Sequence, residues 1–454
     1  MSDASAGFKL GKAGIIYLVA IVAAVVLAFL GEKTDEGITL FGSVPFAFVI
    51  FVLILMGVAF FHHYTLYLAL AGVVAVTLYT AIACPGFAWS REQVAQAGPG
   101  LWHHFLHEGE HTLLNLGGLL LGFALLAKFF EHSGVPDNLP RLLPKNKLWG
   151  GFALLAIVWF ISSFLDNIAA AMIGGVIART AYKGRVSIGY VAAIVAASNA
   201  GGAWSVLGDT TTTMMWIDGV SPFDVAHCAV ASVVALVVSG LIATVYQNRI
   251  QPIEVDSLAE KKPIDWAQLL IVLMILAGAI TTNFLLEKPF VGVWAAILVG
   301  AFLRKPAWGE LPGAAKGALF LLSLVWCASL MPVKALPPAT WQTTFGLGFV
   351  SAVFDNIPLT KLALEQGGYD WGALAFAVGF GGSMIWFGSS AGVAISKDFP
   401  EARNTGRYIK EGWHVAVAYV VAFLVFLGVM GWHPHDPHRK SAAETPGAAK
   451  PADK

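Results

Sequence analysis

The chain has 454 residues, of which 57% are hydrophobic and only 12% charged, with a mean hydropathy of +0.71. A soluble fold of this length cannot hide so much apolar surface, which excludes a cytosolic enzyme, a nucleic-acid binder and a disordered scaffold and points to an all-α polytopic membrane protein. Lys+Arg and Asp+Glu both total 28, so net charge says nothing about partners, and the information lies in where the charges fall.

The first apolar run, 14–31, follows Lys9 and Lys12 and lacks a small-residue cleavage site, so it reads as a retained first span. Spans at 44–61, 64–84 and 112–130 follow. The loop before 112 contains WHHFLHEGEH (102–111), which puts His103, His107 and His111 at i, i+4 and i+8. A solvated amphipathic turn accounts for that spacing better than a metal or pH-sensing cluster does. The segment 149–180 lies between two basic loops, one with Arg141, Lys145 and Lys147, the other with Arg179, Lys183 and Arg185. Positive charge marks the inner face, so both loops stay inside only if 149–180 enters and returns, a re-entrant hairpin with its tip near Asp166-Asn167. The segment 186–216 then crosses outward with a break at its centre, and 222–246 returns.

Spans 266–286 and 289–303 go out and back, and 317–332 goes out. A second hairpin, 342–366, turns near Asp355-Asn356. A second broken span, 371–397, crosses inward, and 412–431 leaves a polar tail outside that carries HPHDPH, a weak metal signal. The expected architecture has about 11 transmembrane helices plus two re-entrant hairpins, with the N-terminus cytoplasmic and the C-terminus periplasmic or external. Cys84, Cys228 and Cys327 lie in apolar stretches without CxxC spacing and do not fix the redox compartment. The 30 Phe and 15 Trp read mostly as lipid-facing or interfacial.

The two halves share sequence. ISSFLDNIAAA (161–171) matches VSAVFDNIPLT (350–360), and GGAWSVLGDT (201–210) matches GGSMIWFGSS (381–390). An odd number of crossings per unit turns the second copy upside down. The expected organisation is an N-terminal segment and first helix, 1–43; repeat 1, 44–246; a cytoplasmic linker, 247–265; repeat 2, 266–431; and a tail, 432–454. Inverted repeats with discontinuous helices place a secondary transporter's site where the breaks meet.

Non-helical backbone at membrane depth is tolerated only when buried in protein or lining a wet cavity. Asn199, Gly201, Gly202 and Gly208, with Gly381 and Gly382 in the second half, suit such backbone. Ser162, Ser163, Ser205, Thr210, Thr211, Ser351, Ser383, Ser389 and Ser390 add hydroxyl oxygens. Hard oxygen donors of this kind suit small cations. Asp166, Asp209 and Asp355 carry most weight, since a carboxylate in a membrane segment costs about 2.5–3.5 kcal/mol even on insertion scales and is functional by default. A site that accepts either H+ or Na+, but not both, gives antiport once access alternates. Each feature also has a plainer explanation. All three acids could be helix caps, Asp209 in GDTTTT most readily, and the hydroxyls could be helix-end fillers. Lys361 could snorkel, pair with Asp355, or titrate with substrate.

FLDN, SNAGGAWSVLGDTTTTMMW, SAVFDNIPL and GGSMIWFGSSAGVA resemble the NhaD-type sodium/proton antiporters of the ion transporter superfamily, over about residues 110–431. That superfamily also holds citrate/dicarboxylate transporters and arsenite pumps. The resemblance implies a homodimer in a bacterial inner membrane, exchanging Na+ or Li+ for H+, with no cofactor, no metal beyond the transported cation and no nucleic-acid partner. It implies ion- and proton-binding roles for Asp166, Asp209 and Asp355, with Asn167, Asn356, Thr210, Ser389 and Ser390 nearby. Ala169-Ala170 and Thr360-Lys361 depart from the pattern the resemblance leads one to expect. The alternatives are an anion transporter of the same superfamily and, remotely, an intramembrane aspartyl protease, whose GxGD motif is absent.

Overall fold

Long apolar runs fold as helices here because a helix satisfies its own backbone hydrogen bonds where no water can. The protein is described by a computed structural model covering residues 12–34, 37–61, 64–84, 104–105, 109–254 and 262–437. It is an all-α polytopic membrane protein, and six of the described helices are long and apolar enough to cross a bilayer. The His103/His107/His111 side chains lie outside the described residues.

Helices α1 (Lys12–Leu30), α2 (Phe46–Phe60) and α3 (Thr65–Ala83) open the chain. The connection after α1 is a small antiparallel meander of β1 (Glu32–Thr34), β2 (Gly37–Leu40) and β3 (Val44–Pro45), in register Lys33↔Ile38 and Thr39↔Pro45. Gly37, at φ +111, starts its second strand, and the Tyr79 hydroxyl of α3 accepts from the Ile38 N–H at 2.9 Å. Next come α4 (Leu114–His132), α5 (Lys147–Ser162), α6 (Asn167–Ala181), α7 (Ile188–Ala203), α8 (Thr210–Ile217) and α9 (Ala229–Ile250). The second half runs through α10 (Trp266–Leu286), α11 (Pro289–Gly300), α12 (Leu311–Ser329), α13 (Trp341–Ser351), α14 (Asn356–Gln366), α15 (Trp371–Gly381), α16 (Ser390–Ile395), α17 (Thr405–Glu411) and α18 (Trp413–Met430).

Two layers of packing position the breaks. Helix α7 is buried along its whole length, as is α15, and the two pack against each other. Apart from Ser198 and Asn199 near the end of α7, both are made of apolar and small residues all round, which is the pattern of a helix surrounded by protein. Around them lie α5, α9, α13 and α18. Helices α10 and α1 instead expose Leu273, Phe284, Val19 and Phe29 outward, as lipid-facing helices do. Helices α4 and α12 pack together and lie over the breaks from one side.

Candidate functional site

The helices break in four places, and each break is followed by a fresh helix N-terminus. After α5 the chain turns through Ser163–Asp166 and restarts as α6, and after α13 it turns and restarts as α14 at Asn356. Helix α7 ends at Ala203 and α8 begins after Asp209; α15 ends at Gly381 and α16 begins after Ser389. The N-cap residues of the four new helices are Asp166, Asp355, Asp209 and Ser389.

Glycine makes the breaks compact, and it does so in the same way twice. A Cβ at Gly201 would run into the Trp159 carbonyl oxygen, and one at Gly381 into that of Gly348. At Gly202 it would lie 2.6 Å from the Gly208 oxygen, and at Gly382 2.6 Å from the Gly388 oxygen. Ser162 Oγ donates to the Ser198 carbonyl at 2.6 Å, and Ser351 Oγ to the Val378 carbonyl at 2.6 Å. Matching sequence in the two halves therefore adopts matching contacts. The second arms then pair across halves: α6 packs against α16, and α14 against α8.

Several hydroxyls singled out from the sequence tie backbone together. Ser163 Oγ donates to the Gly201 carbonyl at 3.1 Å, and Ser205 Oγ accepts from the Leu207 N–H. Ser389 Oγ accepts from the Gly392 N–H at 3.3 Å. Thr212 and Thr213, the last two of the TTTT run, donate to the Ser205 and Val206 carbonyls at 2.7 and 2.8 Å, so those two oxygens are already engaged. The Thr211 hydroxyl is different: it is buried beside Asp209, two residues away, and interacts with that carboxylate rather than with a backbone carbonyl.

The polar residues of the two halves meet at the centre. Asn167 donates to Asn199 Oδ1 at 3.1 Å, and Asn199 donates to Ser383 Oγ at 2.9 Å. Asn356 Nδ2 lies 3.4 Å from Asp209 Oδ2. Asp209 is buried, at 3% exposure, and lies within electrostatic reach of both Asp166 and Asp355. A cavity of about 190 Å³ is lined by Asp166, Asp209, Thr210 and Thr213 on one wall and by apolar residues of α4 and α12 on the other. Asp355 does not line it.

Capping is real at two of the acids. Asp355 Oδ1 accepts from the Ile357 N–H at 3.0 Å, and Asp209 Oδ1 from the Thr211 N–H at 3.3 Å. Asp166 occupies its N-cap position without a side-chain cap bond. Among the described residues, no three of His, Cys, Asp and Glu gather closely enough to hold one metal ion. A cation here would meet one or two carboxylates together with amide, hydroxyl and carbonyl oxygens.

Of the three alternatives for Lys361, the structure removes two. The side chain neither snorkels nor pairs with Asp355. It is wholly buried, with Nζ 2.7 Å from Glu365 Oε1 and 3.7 Å from Asp218 Oδ2. Glu365 and Asp218 were not picked out from the sequence. The i, i+4 spacing of Lys361 and Glu365 could have pointed to the first; nothing local points to the second. In the tail, the His433 N–H donates to Asp370 at 2.9 Å, and His435 Nε2 lies 3.0 Å from Asp224 Oδ2.

No family model matches the chain. It is similar to Sodium/proton antiporter 1 of Arabidopsis thaliana, at 30% identity over 61% of this chain and 55% of that protein, so it spans about half the length of that relative. It is also similar to the Na(+)/H(+) antiporter NhaD of Alkalimonas amylolytica, at 26% identity over 70% of this chain and 78% of the relative. The Na(+)/H(+) antiporter NhaD of Halomonas elongata is 23% identical over 79% of this chain and 88% of its own length. These relatives bear out the NhaD-type resemblance carried by the motifs.

Proposed function

We propose that the chain is a secondary transporter, not an enzyme, that exchanges Na+ or Li+ for H+ through competition of the two ions for buried carboxyl groups. The observation that carries this reading is Asp209, buried at a helix start and sharing one cavity with Asp166 while held by Asn356 of the other half. An acid in that setting has few oxygen partners besides a proton or a small cation. When protonated, the carboxyl needs no counter-ion. When a cation displaces the proton, Asp209, with Thr210, the Thr211 hydroxyl beside it and Asp166, offers hard oxygens to it. Asp355, Asn167, Ser389 and Ser390 sit at the remaining helix starts and complete the proposed site, with Asn199, Gly201, Gly202, Gly208, Gly381, Gly382 and Ser383 shaping its backbone. The twin glycine contacts support an inverted duplication, with hairpins at 149–180 and 342–366 moving against a scaffold that includes α4 and α12. We place the protein in a bacterial inner membrane, as a homodimer, with its N-terminus cytoplasmic and its C-terminus external.

The test is ion flux in proteoliposomes of the purified protein, with a pH-sensitive dye inside and Na+, Li+, K+ or citrate added outside. Dequenching by Na+ or Li+ from neutral to alkaline pH, and none by K+, is the expected result. Absence of any cation response would refute antiport, and Asp355-dependent uptake of radiolabelled citrate would replace it with anion transport. The helix N-termini at the breaks are compatible with an anion, but three of the four carry a carboxyl that opposes one.

A further inference from the structure

Helices α8 and α14 come from different halves, yet they lie side by side with their N-termini together. At those N-termini Asn356 of α14 reaches Asp209, the cap of α8. Midway along α14, Lys361 reaches Asp218, the residue that closes α8, while also pairing with Glu365 one turn on. Helix α8 is therefore fastened to α14 at both of its own ends, and the two acids at the head of the pair, Asp209 and Asp355, sit on one fastened unit.

The other crossed pair, α6 with α16, has a fastening of the same kind built from other atoms. There Arg179, at the end of α6, donates to the Asp398 carbonyl at 2.7 Å and lies over the Phe399 ring. Asp398 stands in the second half where Asp218 stands in the first, 180 positions on, the same offset that relates Gly201 to Gly381. The Arg179 fastening is exposed to solvent, whereas Lys361 is completely buried. A buried ammonium is tolerated only when paired, and losing one partner leaves a buried charge uncompensated. Its position also suits the negative end of the α8 dipole.

We propose that Lys361 is a positioning residue: through Asp218 and Glu365 it locks α14 to α8, so that the acids at the two helix starts keep a fixed separation. It does not touch the ion. The consequence for ion affinity rests on the antiport reading above; the lock itself does not.

Two measurements on the purified full chain separate these points. Hydrogen–deuterium exchange read by mass spectrometry tests the lock in wild type, Lys361→Met, Lys361→Arg, Asp218→Asn and the Lys361→Met/Asp218→Asn double variant. Proteoliposome flux with Na+ and Li+ tests the consequence. Loss of the lock should speed exchange about tenfold in both 210–217 and 356–366 for Lys361→Met and Asp218→Asn. It should also raise the Na+ and Li+ KM about fivefold while Vmax per folded transporter stays within about twofold. Lys361→Arg should retain both properties, and the double variant should be no worse than either single one. A role in folding alone would lower yield and Vmax together and leave KM in place. If Lys361→Met does not accumulate, Asp218→Asn carries the same test. Unchanged exchange in both variants, exchange confined to α14, or fully additive effects in the double variant would overturn the lock. A wild-type protein with normal exchange but no cation flux would instead overturn the antiport reading, and the exchange data would still decide the lock.

Discussion

Asp355→Asn separates a helix cap from an ion-binding acid, because the geometry lets the two roles be removed one at a time. Asp355 Oδ1 accepts from the Ile357 N–H at 3.0 Å, with its backbone at φ −55 and ψ 140. An Asn at 355 offers the same oxygen in the same place, and Asn and Asp are equivalent N-caps. What it gives up is the charge at the N-terminus of α14, worth about 0.3–1 kcal/mol. The half-buried surroundings offset part of that, since a neutral amide is cheaper to desolvate than a carboxylate. Asp355→Asn should therefore unfold within about 1 kcal/mol of wild type, whereas Asp355→Ala, which loses the bond as well, should cost about 1 kcal/mol more. The amide cannot take up and release a proton, so Na+- or Li+-dependent dequenching should fall to background in both variants. The assays are thermal unfolding in detergent, followed by size-exclusion chromatography, and the proteoliposome dye assay on matched amounts of folded protein. Wild-type flux in Asp355→Asn, together with destabilised Asp355→Ala, would show that the residue is a cap and nothing more, and would remove it from the site.

Gly201→Ala should destabilise the fold by about 1–3 kcal/mol, because its methyl runs into the Trp159 backbone, which cannot swing aside; Gly313→Ala, where nothing lies within 4 Å, should be neutral or stabilising in the same thermal assay. Equal stability of the two variants would refute the close approach of α7 to α5. Asn199→Ala removes the amide that joins Asn167 to Ser383 and should cost about 1–3 kcal/mol, since two buried polar groups lose their partner; unchanged unfolding would show that the bridge contributes nothing. The tail should respond to pH. Burial works against charge on His435, but the His433 carbonyl, the Asp224 carboxylate and Asp370 beyond it outweigh that and raise its pKa above 6.5. Both ring nitrogens have acceptors, at 3.1 and 3.0 Å, and only the charged ring donates from both. A raised pKa stabilises the folded tail fully below the ordinary histidine value, and that contribution is lost as pH rises through the raised one. Limited proteolysis near residue 435 should thus accelerate on going from mildly acidic to alkaline pH in wild type, and show no such rise in His435→Gln. The same pH dependence in both proteins would refute the histidine as its source.

Much of the molecule was written locally. Apolar length marked the long helices, and polar or Gly-rich centres marked the four breaks, because hydrocarbon penalises exposed backbone wherever it occurs. An acid or serine followed by a helical run marked each new N-terminus, since capping involves residues two or three apart. The meander after α1 escaped notice because its strands are too short for an alternating pattern to register. Other features depend on which helix lies beside which, and no local rule carries that. Asp218 is an ordinary helix-end residue until α14 brings Lys361 to it, and Gly201 is an ordinary small residue until α5 passes over it. Asp166 and Asp209, 43 positions apart, share a cavity only because α4 and α12 close over both. Where the chain must break, and which acids stand at the breaks, can be read from residue patterns a few positions long. Which broken ends are fastened together cannot, because that pairing is set by side-chain contacts between segments far apart along the chain and exists only in the folded molecule.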